Sequence, residues 1–466
     1  MHPGGTGRCV APTQGQGGSV GSGAVVDDES PDAGAGPEGP AMDTDRPRLR
    51  PVSGEPVGPG DGAKWALHDP EGLFQGEVVV SAPVAVLLSL LDGTRTRAEV
   101  AAAFSERAGL PATVEDLAPL FDELDRHLLL EGRTAERARG RSLASWRALP
   151  ARPAVCAGSS YPEDAAACGA SLDAHILAAE AAPVPSSVRA LLAPHIDLRG
   201  GGACHGAAAR AYRNTDADTF LVIGTAHAPL RRPFALTGLA FDTPLGRLPT
   251  DRGLVERLAR RGGGELMTDE LAHRDEHSVE FQALWLRHVL GTRPGLSIVP
   301  VLAAGLHRFV EDERSPRSDS AIADFVAALR ELAREMGPRL CIVASVDLAH
   351  VGPKYGDDDP VTDAAFEPIL AADRTLLDRV VARDAEGWFE GLAAERDRRN
   401  VCGAAPTYVL LSALEDEPLT GTLLRHDAWT IDPETSSRVS FATVAFGPAG
   451  QDGPGRGAGR AAAGRR

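Results

Sequence analysis

Leu340-Cys-Ile-Val-Ala-Ser-Val-Asp-Leu-Ala-His350 is the stretch on which the fold turns. Its first half is a short apolar run rich in β-branched residues, the pattern of a strand buried on both faces. Asp347 and His350 follow where that strand should end. In open α/β sheets, chemistry collects in the crevice beyond the carboxyl ends of the strands. A carboxylate and an imidazole placed there suit acid/base work or metal binding.

The pattern recurs upstream. Leu191-Leu-Ala-Pro-His-Ile-Asp-Leu-Arg-Gly-Gly-Gly202 reads as a strand ending at Pro194, with His195 and Asp197 on the turn that follows. The three glycines suit a tight turn or a close backbone approach to a ligand. They do not form a dinucleotide fingerprint, because no G-x-G-x-x-G opens a helix there. Phe220-Leu-Val-Ile-Gly-Thr-Ala-His227 repeats the theme with His227. One histidine at a strand end is commonly structural, but His195, His227 and His350 make three such placements. Histidine is also the commonest transition-metal ligand.

Two further elements join them. In Asp275-Glu-His-Ser-Val-Glu-Phe-Gln282, His277 precedes a helix that Ser278 can cap, and Glu280 falls in the first turn. There Glu280 either favours the helix dipole or faces the pocket. In Asn400-Val-Cys-Gly-Ala-Ala-Pro406, Cys402 stands just before another helix, a position expected to lower a thiol's pKa. A thiolate there can be a nucleophile or a soft metal ligand, and the plain alternative is a small buried residue.

Composition bounds the rest. The chain has 466 residues, 43% of them hydrophobic, and a formal net charge of -17. That balance supports a sizeable core and argues against a generic nucleic-acid or anionic-membrane binder. No apolar run approaches the roughly 20 residues that span a bilayer, and the start of the chain lacks the basic-then-apolar pattern of a secretory signal. The 6 cysteines are scattered, with no C-x-x-C pair. A cytoplasmic protein with reduced thiols is expected.

Residues 1–60, rich in Gly, Pro, Ser and Asp, are expected to be disordered, as are residues 449–466. Residues 61–135 read as a small domain. A strand at Val78–Val80 leads to a helix opened by Ser81 and Pro83, a second capped by Thr96 with Glu99, a third from Thr113, and a final strand at Leu128–Leu130. The order β-α-α-α-β suits a winged helix, too acidic for DNA. Residues 136–151 are a charged linker. Residues 152–448 alternate strand-like and helix-like segments, as an α/β sheet does. Expected strands are Arg189–Ala193, Thr219–Ile223, Ser297–Val301, Leu340–Ser345 and Val439–Phe446. Expected helices include Ala166–Ala179, Ser278–Leu290, Ser320–Met336 and Thr407–Leu414.

The run Leu-x-Asp-Gly-Thr-x-Thr-x-x-Glu-Val from Leu90 to Val100 resembles the PqqD-like winged-helix domains, which bind peptides in peptide-modification pathways. Downstream, the ordered set Ala157-Gly-Ser-Ser-Tyr-Pro162, Pro194-His195, Ile223-Gly-Thr-Ala-His227, His277-Ser-Val-Glu280, Ile298-Val-Pro-Val301, Ser345-Val-Asp-Leu-Ala-His350-Val-Gly352 and Cys402-Gly403 resembles the Memo-like family, known in prokaryotes as AmmeMemoRadiSam system protein B. The resemblance implies a LigB-like fold, that of class III extradiol dioxygenases, with a mixed β-sheet flanked by helices. It implies His195, His227 and Cys402 as metal ligands, with iron, or alternatively copper, as the metal. It implies Asp347 and His350 as a pocket pair and His277 as a further pocket histidine, together the expected catalytic set; Asp197 and Glu280, read from their own positions, are expected to line the pocket. A radical SAM protein and an AMMECR-type protein are the implied partners. The chain departs from the family at Ile196–Gly202, where Ala-Gly-Tyr usually follows Pro-His, and at Ser345-Val-Asp347, where Ser-Ser-Asp is usual.

Two functions follow as expectations. One is a dioxygenase-like oxidoreductase or metal-assisted hydrolase. The other is a non-catalytic scaffold whose front domain recruits a peptide or protein. A true extradiol dioxygenase uses a carboxylate where Cys402 stands, so fold alone does not carry that activity over.

Overall fold

In the computed structural model, residues 45–448 are described apart from 58–63, 75, 180–182, 262–264 and 292. The disorder expected of residues 1–44 and 449–466 lies outside the described residues. The chain divides between Ser145 and Trp146 into two units.

The first unit begins with a three-stranded antiparallel sheet, β1 (Ser53–Val57), β2 (Lys64–His68) and β3 (Val78–Val80), in the order β1-β2-β3. Four helices follow: α1 (Ala82–Leu88), α2 (Arg97–Ala108), α3 (Val114–Arg126) and α4 (Arg133–Arg147). Thr96 and Glu99 form the expected capping box on α2, and Thr113 with Asp116 forms another on α3. Each such cap stabilises its helix by about 1 kcal/mol. Leu87, Leu88, Val100, Phe104, Leu117, Phe121 and Leu124 make the core.

The strand expected at Leu128–Leu130 is only a single bridge from Leu130 to Leu49, and Leu128 has a positive φ of 57° that breaks extension. All three strands precede the helices, so the order is not the β-α-α-α-β of a winged helix. Ion pairing explains why the unit reaches beyond residues 61–135. Buried Arg50 meets Asp69 at 2.9 Å and Glu71 at 3.0 Å, and Arg139 of α4 meets Glu71 at 2.8 Å. A buried charge needs partners, so the flanking segments carrying Arg50 and Arg139 are ordered by Asp69 and Glu71.

The second unit is built on one mixed sheet between two layers of helices. Its elements in order are α5 (Ala165–Ala178), β4 (Ala190–Pro194), α6 (Leu198–Arg213), β5 (Thr219–Thr225), β6 (Phe234–Leu236), α7 (Arg252–Arg261), α8 (His277–Leu290), β7 (Ser297–Ala303), α9 (His307–Glu311), α10 (Ser320–Met336), β8 (Leu340–Val346), β9 (His350–Val351), α11 (Asp363–Ala382), α12 (Ala385–Ala394), α13 (Ala404–Leu414), β10 (Leu419–Asp432) and β11 (Ser437–Pro448). The sheet runs β10-β11-β4-β8-β5-β7-β6, with β9 added to β11. Strands β4, β8, β5 and β7 are parallel, and β6, β9, β10 and β11 are antiparallel additions.

Every residue of β4, β5 and β8 is buried, as their continuous apolar runs require. Alternation decides which layer each side chain enters. Leu192, Ile223 and Ala344 face the layer containing α10 and α13, while Leu191, Val222 and Val343 face the layer containing α5, α6 and α8.

The glycines expected in a tight turn lie instead inside α6. They are there for close packing. A Cβ on Gly200 would lie 2.0 Å from the Trp429 ring, and one on Gly206 would lie 2.1 Å from the carbonyl oxygen of His175. No helix among the described residues is long and apolar enough to cross a membrane.

Candidate metal centre

Three parallel strands end on one line. Pro194 of β4 lies opposite Val346 of β8, and Ser345 of β8 lies opposite Gly224 of β5. The residues that follow, His195, Asp347 and then His227, are thereby delivered to one edge of the sheet. His277 arrives from another direction, as the first residue of α8. Hydrogen bonds stitch α8 to those strand ends, and Ser345 Oγ donates to the Ser278 carbonyl at 2.6 Å. Ser278 Oγ donates to the Thr225 carbonyl at 2.9 Å. Gln282 Nε2 donates to the Pro194 carbonyl at 2.8 Å and to Ser345 Oγ at 2.9 Å.

His195, His227 and His277 meet there, each offering a nitrogen within 4.8 Å of the other two. The His195 ring stands edge-on to the His227 and His277 rings, with centroids 5.2 and 5.3 Å away. His195 is only 1% exposed. Its Nδ1 donates to the Ser345 carbonyl at 2.9 Å, so its lone pair is on Nε2. Burial, with His227 and His277 nearby, holds His195 well below the usual imidazole pKa. His277 is pushed down to about 4, mainly by burial. Neutral rings with fixed tautomers are what a metal ligand requires. Another group with ligand geometry, Glu55, His68 and Glu77 in the first unit, is largely exposed.

Cys402 Sγ lies 3.4 Å from His195 Nε2, immediately before α13. Gly403 permits this approach, because a Cβ there would lie 2.5 Å from the Asp347 carbonyl oxygen. The thiol does not have the lowered pKa expected of its place in the sequence. Burial pushes it well above the usual value, and the Asp347, Glu276 and Asp397 carboxyls add to that. Desolvation of the thiolate outweighs the helix terminus.

Asp347 is 2% exposed, and its Oδ1 accepts the main-chain N–H groups of His195 at 3.1 Å and Ile196 at 3.0 Å. Its Oδ2 lies 3.7 Å from His195 Nε2. Burial raises its pKa well above the carboxylate range despite those two donors. His350 is pushed down to about 4, chiefly by burial. Its Nδ1 donates to the Leu348 carbonyl at 2.9 Å, and its ring meets Tyr355 edge-on at 4.9 Å.

The two carboxylates expected in the pocket sit otherwise. Asp197 caps α6 and is paired with Arg199 at 2.7 Å. Glu280 is fully buried, its oxygens taken by Arg152, by Tyr161 and by the main-chain N–H groups of Val155 and Cys156. Sequence reading passed over Glu276, Gln282 and Ser345, which hold the histidines and the strand ends in place. The available signal was the carboxylate of Glu276 next to His277, at the start of a helix.

A model of the Memo-like protein family matches residues 152–445. A MEMO1 family protein of Aquifex aeolicus is 27% identical over 406 residues, covering 86% of this chain and 100% of that protein. That span necessarily reaches in front of residue 152, so the likeness includes sequence of the first unit. MEMO1 family proteins of Thermus thermophilus and Methanopyrus kandleri are 30% identical over 332 residues and 27% identical over 268 residues. Those matches cover 71% and 56% of this chain, and 92% and 84% of the relatives.

Proposed function

The chain belongs to the Memo-like family, and from that premise we propose that its second unit is a metal-dependent protein related to the extradiol dioxygenases. His195, His227 and His277 would hold a transition metal, iron or alternatively copper, with the Cys402 sulfur beside His195. The observation that carries this reading is that one buried and two half-buried imidazoles converge while the Nδ1 atoms of His195 and His227 are taken by fixed acceptors, at 2.9 Å from the Ser345 carbonyl and 3.0 Å from the Glu276 carboxylate. Nitrogen donors with one soft sulfur suit iron or copper better than calcium or magnesium. A metal bound there supplies Lewis acidity or oxygen chemistry.

The protein's own groups do the rest. Burial raises the pKa of Asp347, which favours a protonated carboxyl that can give its proton to a substrate. His350, with Nδ1–H given to the Leu348 carbonyl, can accept one at Nε2. Main-chain donors fix the Asp347 carboxyl, and the Leu348 carbonyl fixes the His350 ring. The first unit acts as a PqqD-like recruiting module, and the partners are a radical SAM protein and an AMMECR-type protein. A self-contained first unit also supports a second reading, a peptide-binding scaffold that holds a metal without turning it over.

Anaerobic metal quantification tests the reading, with iron and copper offered to the parent protein and to the His227→Ala and Cys402→Ala variants. The parent should load near-stoichiometric metal and both variants should lose most of it. A folded parent that takes up neither metal would remove the metal reading and leave the scaffold.

A further inference from the structure

We infer that Glu276 is the positioning residue that sets His227 and His277 for metal binding. This role rests on the metal-binding reading above. Glu276 stands just before α8 and is 4% exposed. Its carboxylate accepts the Ser278 main-chain N–H at 2.8 Å, as a helix cap would. A long side chain is an unusual cap, since Ser, Thr, Asp and Asn are preferred. The same two oxygens do more. They accept the His227 main-chain N–H at 2.8 Å and its Nδ1–H at 3.0 and 3.1 Å, and one lies 3.4 Å from His277 Nδ1.

An ionised carboxylate only accepts hydrogen bonds. His227 Nδ1 must therefore carry its hydrogen, which places the ring's lone pair on Nε2. The His227 and His277 rings are stacked, 4.6 Å apart and inclined by 22°. His227 gives its Nδ1–H to this carboxylate and His277 Nδ1 lies within ion-pair distance of it, which disposes both rings to carry their lone pairs on Nε2. Metal-binding histidines characteristically give their other N–H to such an acceptor. The clamp is braced from behind. Arg152 donates to the Glu276 main-chain oxygen at 2.6 Å and to the His273 carbonyl at 2.7 Å, and it is paired with buried Glu280.

The test uses the full chain with ¹⁵N-labelled histidine. Long-range proton–nitrogen correlations on metal-free protein should show His227 and His277 as Nδ1–H tautomers. Co²⁺ then serves as the probe. Glu276→Gln can accept on one side only, so it should lose the single tautomer at His227, alter the cobalt absorption bands and weaken Co²⁺ binding by about 10–100-fold. Glu276→Asp keeps the charge and should recover part of that affinity. It also serves if the glutamine variant does not fold. An Nε2–H tautomer at His227 in the parent, or Co²⁺ binding by Glu276→Gln as tight as the parent's, overturns the role of Glu276 alone. A folded parent that binds no Co²⁺ overturns the metal reading and this role together.

Discussion

At the scale of single residues, burial decides the chemistry. Asp197, Glu280 and Cys402 look alike in sequence, each a reactive side chain near a helix start. The structure separates them by partner. Asp197 is spent on its own helix, Glu280 on Arg152 and Tyr161, and Cys402 alone reaches a histidine. Burial also gives the metal-free protein a defined acid response. His205 and His273, both buried and away from the centre, are pushed down to about 4 by desolvation. Each ring stays neutral when folded and protonates first in the unfolded chain. Their stabilising contribution is whole above the unfolded value of 6.5 and is lost as pH falls toward 4. His175, His195, His277 and His350 are lowered too, whereas Asp347 and Asp397 are raised and work the other way. The imidazoles outnumber the carboxyls. Urea midpoints should therefore fall between pH 7 and 5, with the unfolding free energy dropping by up to ~1.4 kcal/mol per pH unit for each ring. A midpoint constant over that range would show that these rings are solvated.

At the scale of elements, strands β4, β5 and β8 and helix α10 were legible because their apolar patterns are continuous or strongly periodic. Several elements were hidden, α6 and β10 among them. Helix α6 carries a glycine run that reads as a turn, since glycine disfavours helix by about 1 kcal/mol. Strand β10 has a glycine inside it and two register shifts that break its alternation. Helix α6 forms because its lack of side chains lets α5 and Trp429 approach its backbone. Gly206→Ala makes this checkable. In an isolated helix it would stabilise by about 1 kcal/mol. Here the new methyl would meet the His175 carbonyl, and overpacking should cost about 1–3 kcal/mol in chemical denaturation. A variant as stable as the parent would mean that α5 and α6 do not pack so closely.

At the scale of the whole molecule, each unit has its own core, and every residue of the centre lies after Trp146. A chain beginning at Trp146 should therefore fold and load the same metal stoichiometry as the full protein, while losing binding to a radical SAM partner. Loss of metal would show that the centre depends on the first unit, and unchanged partner binding would deny that unit its recruiting role. The sequence by itself determined the alternation of strands and helices, and with it the delivery of His195, His227 and Asp347 to one sheet edge. Strand ends are local properties, read from where an apolar run stops. Only the tertiary structure decided which side chains meet. His277 comes from a helix rather than a strand, Glu276 turns from cap into clamp, and burial reverses the expected acidity of Cys402. Those outcomes depend on the distance and solvation of groups far apart in the chain, which no local pattern records.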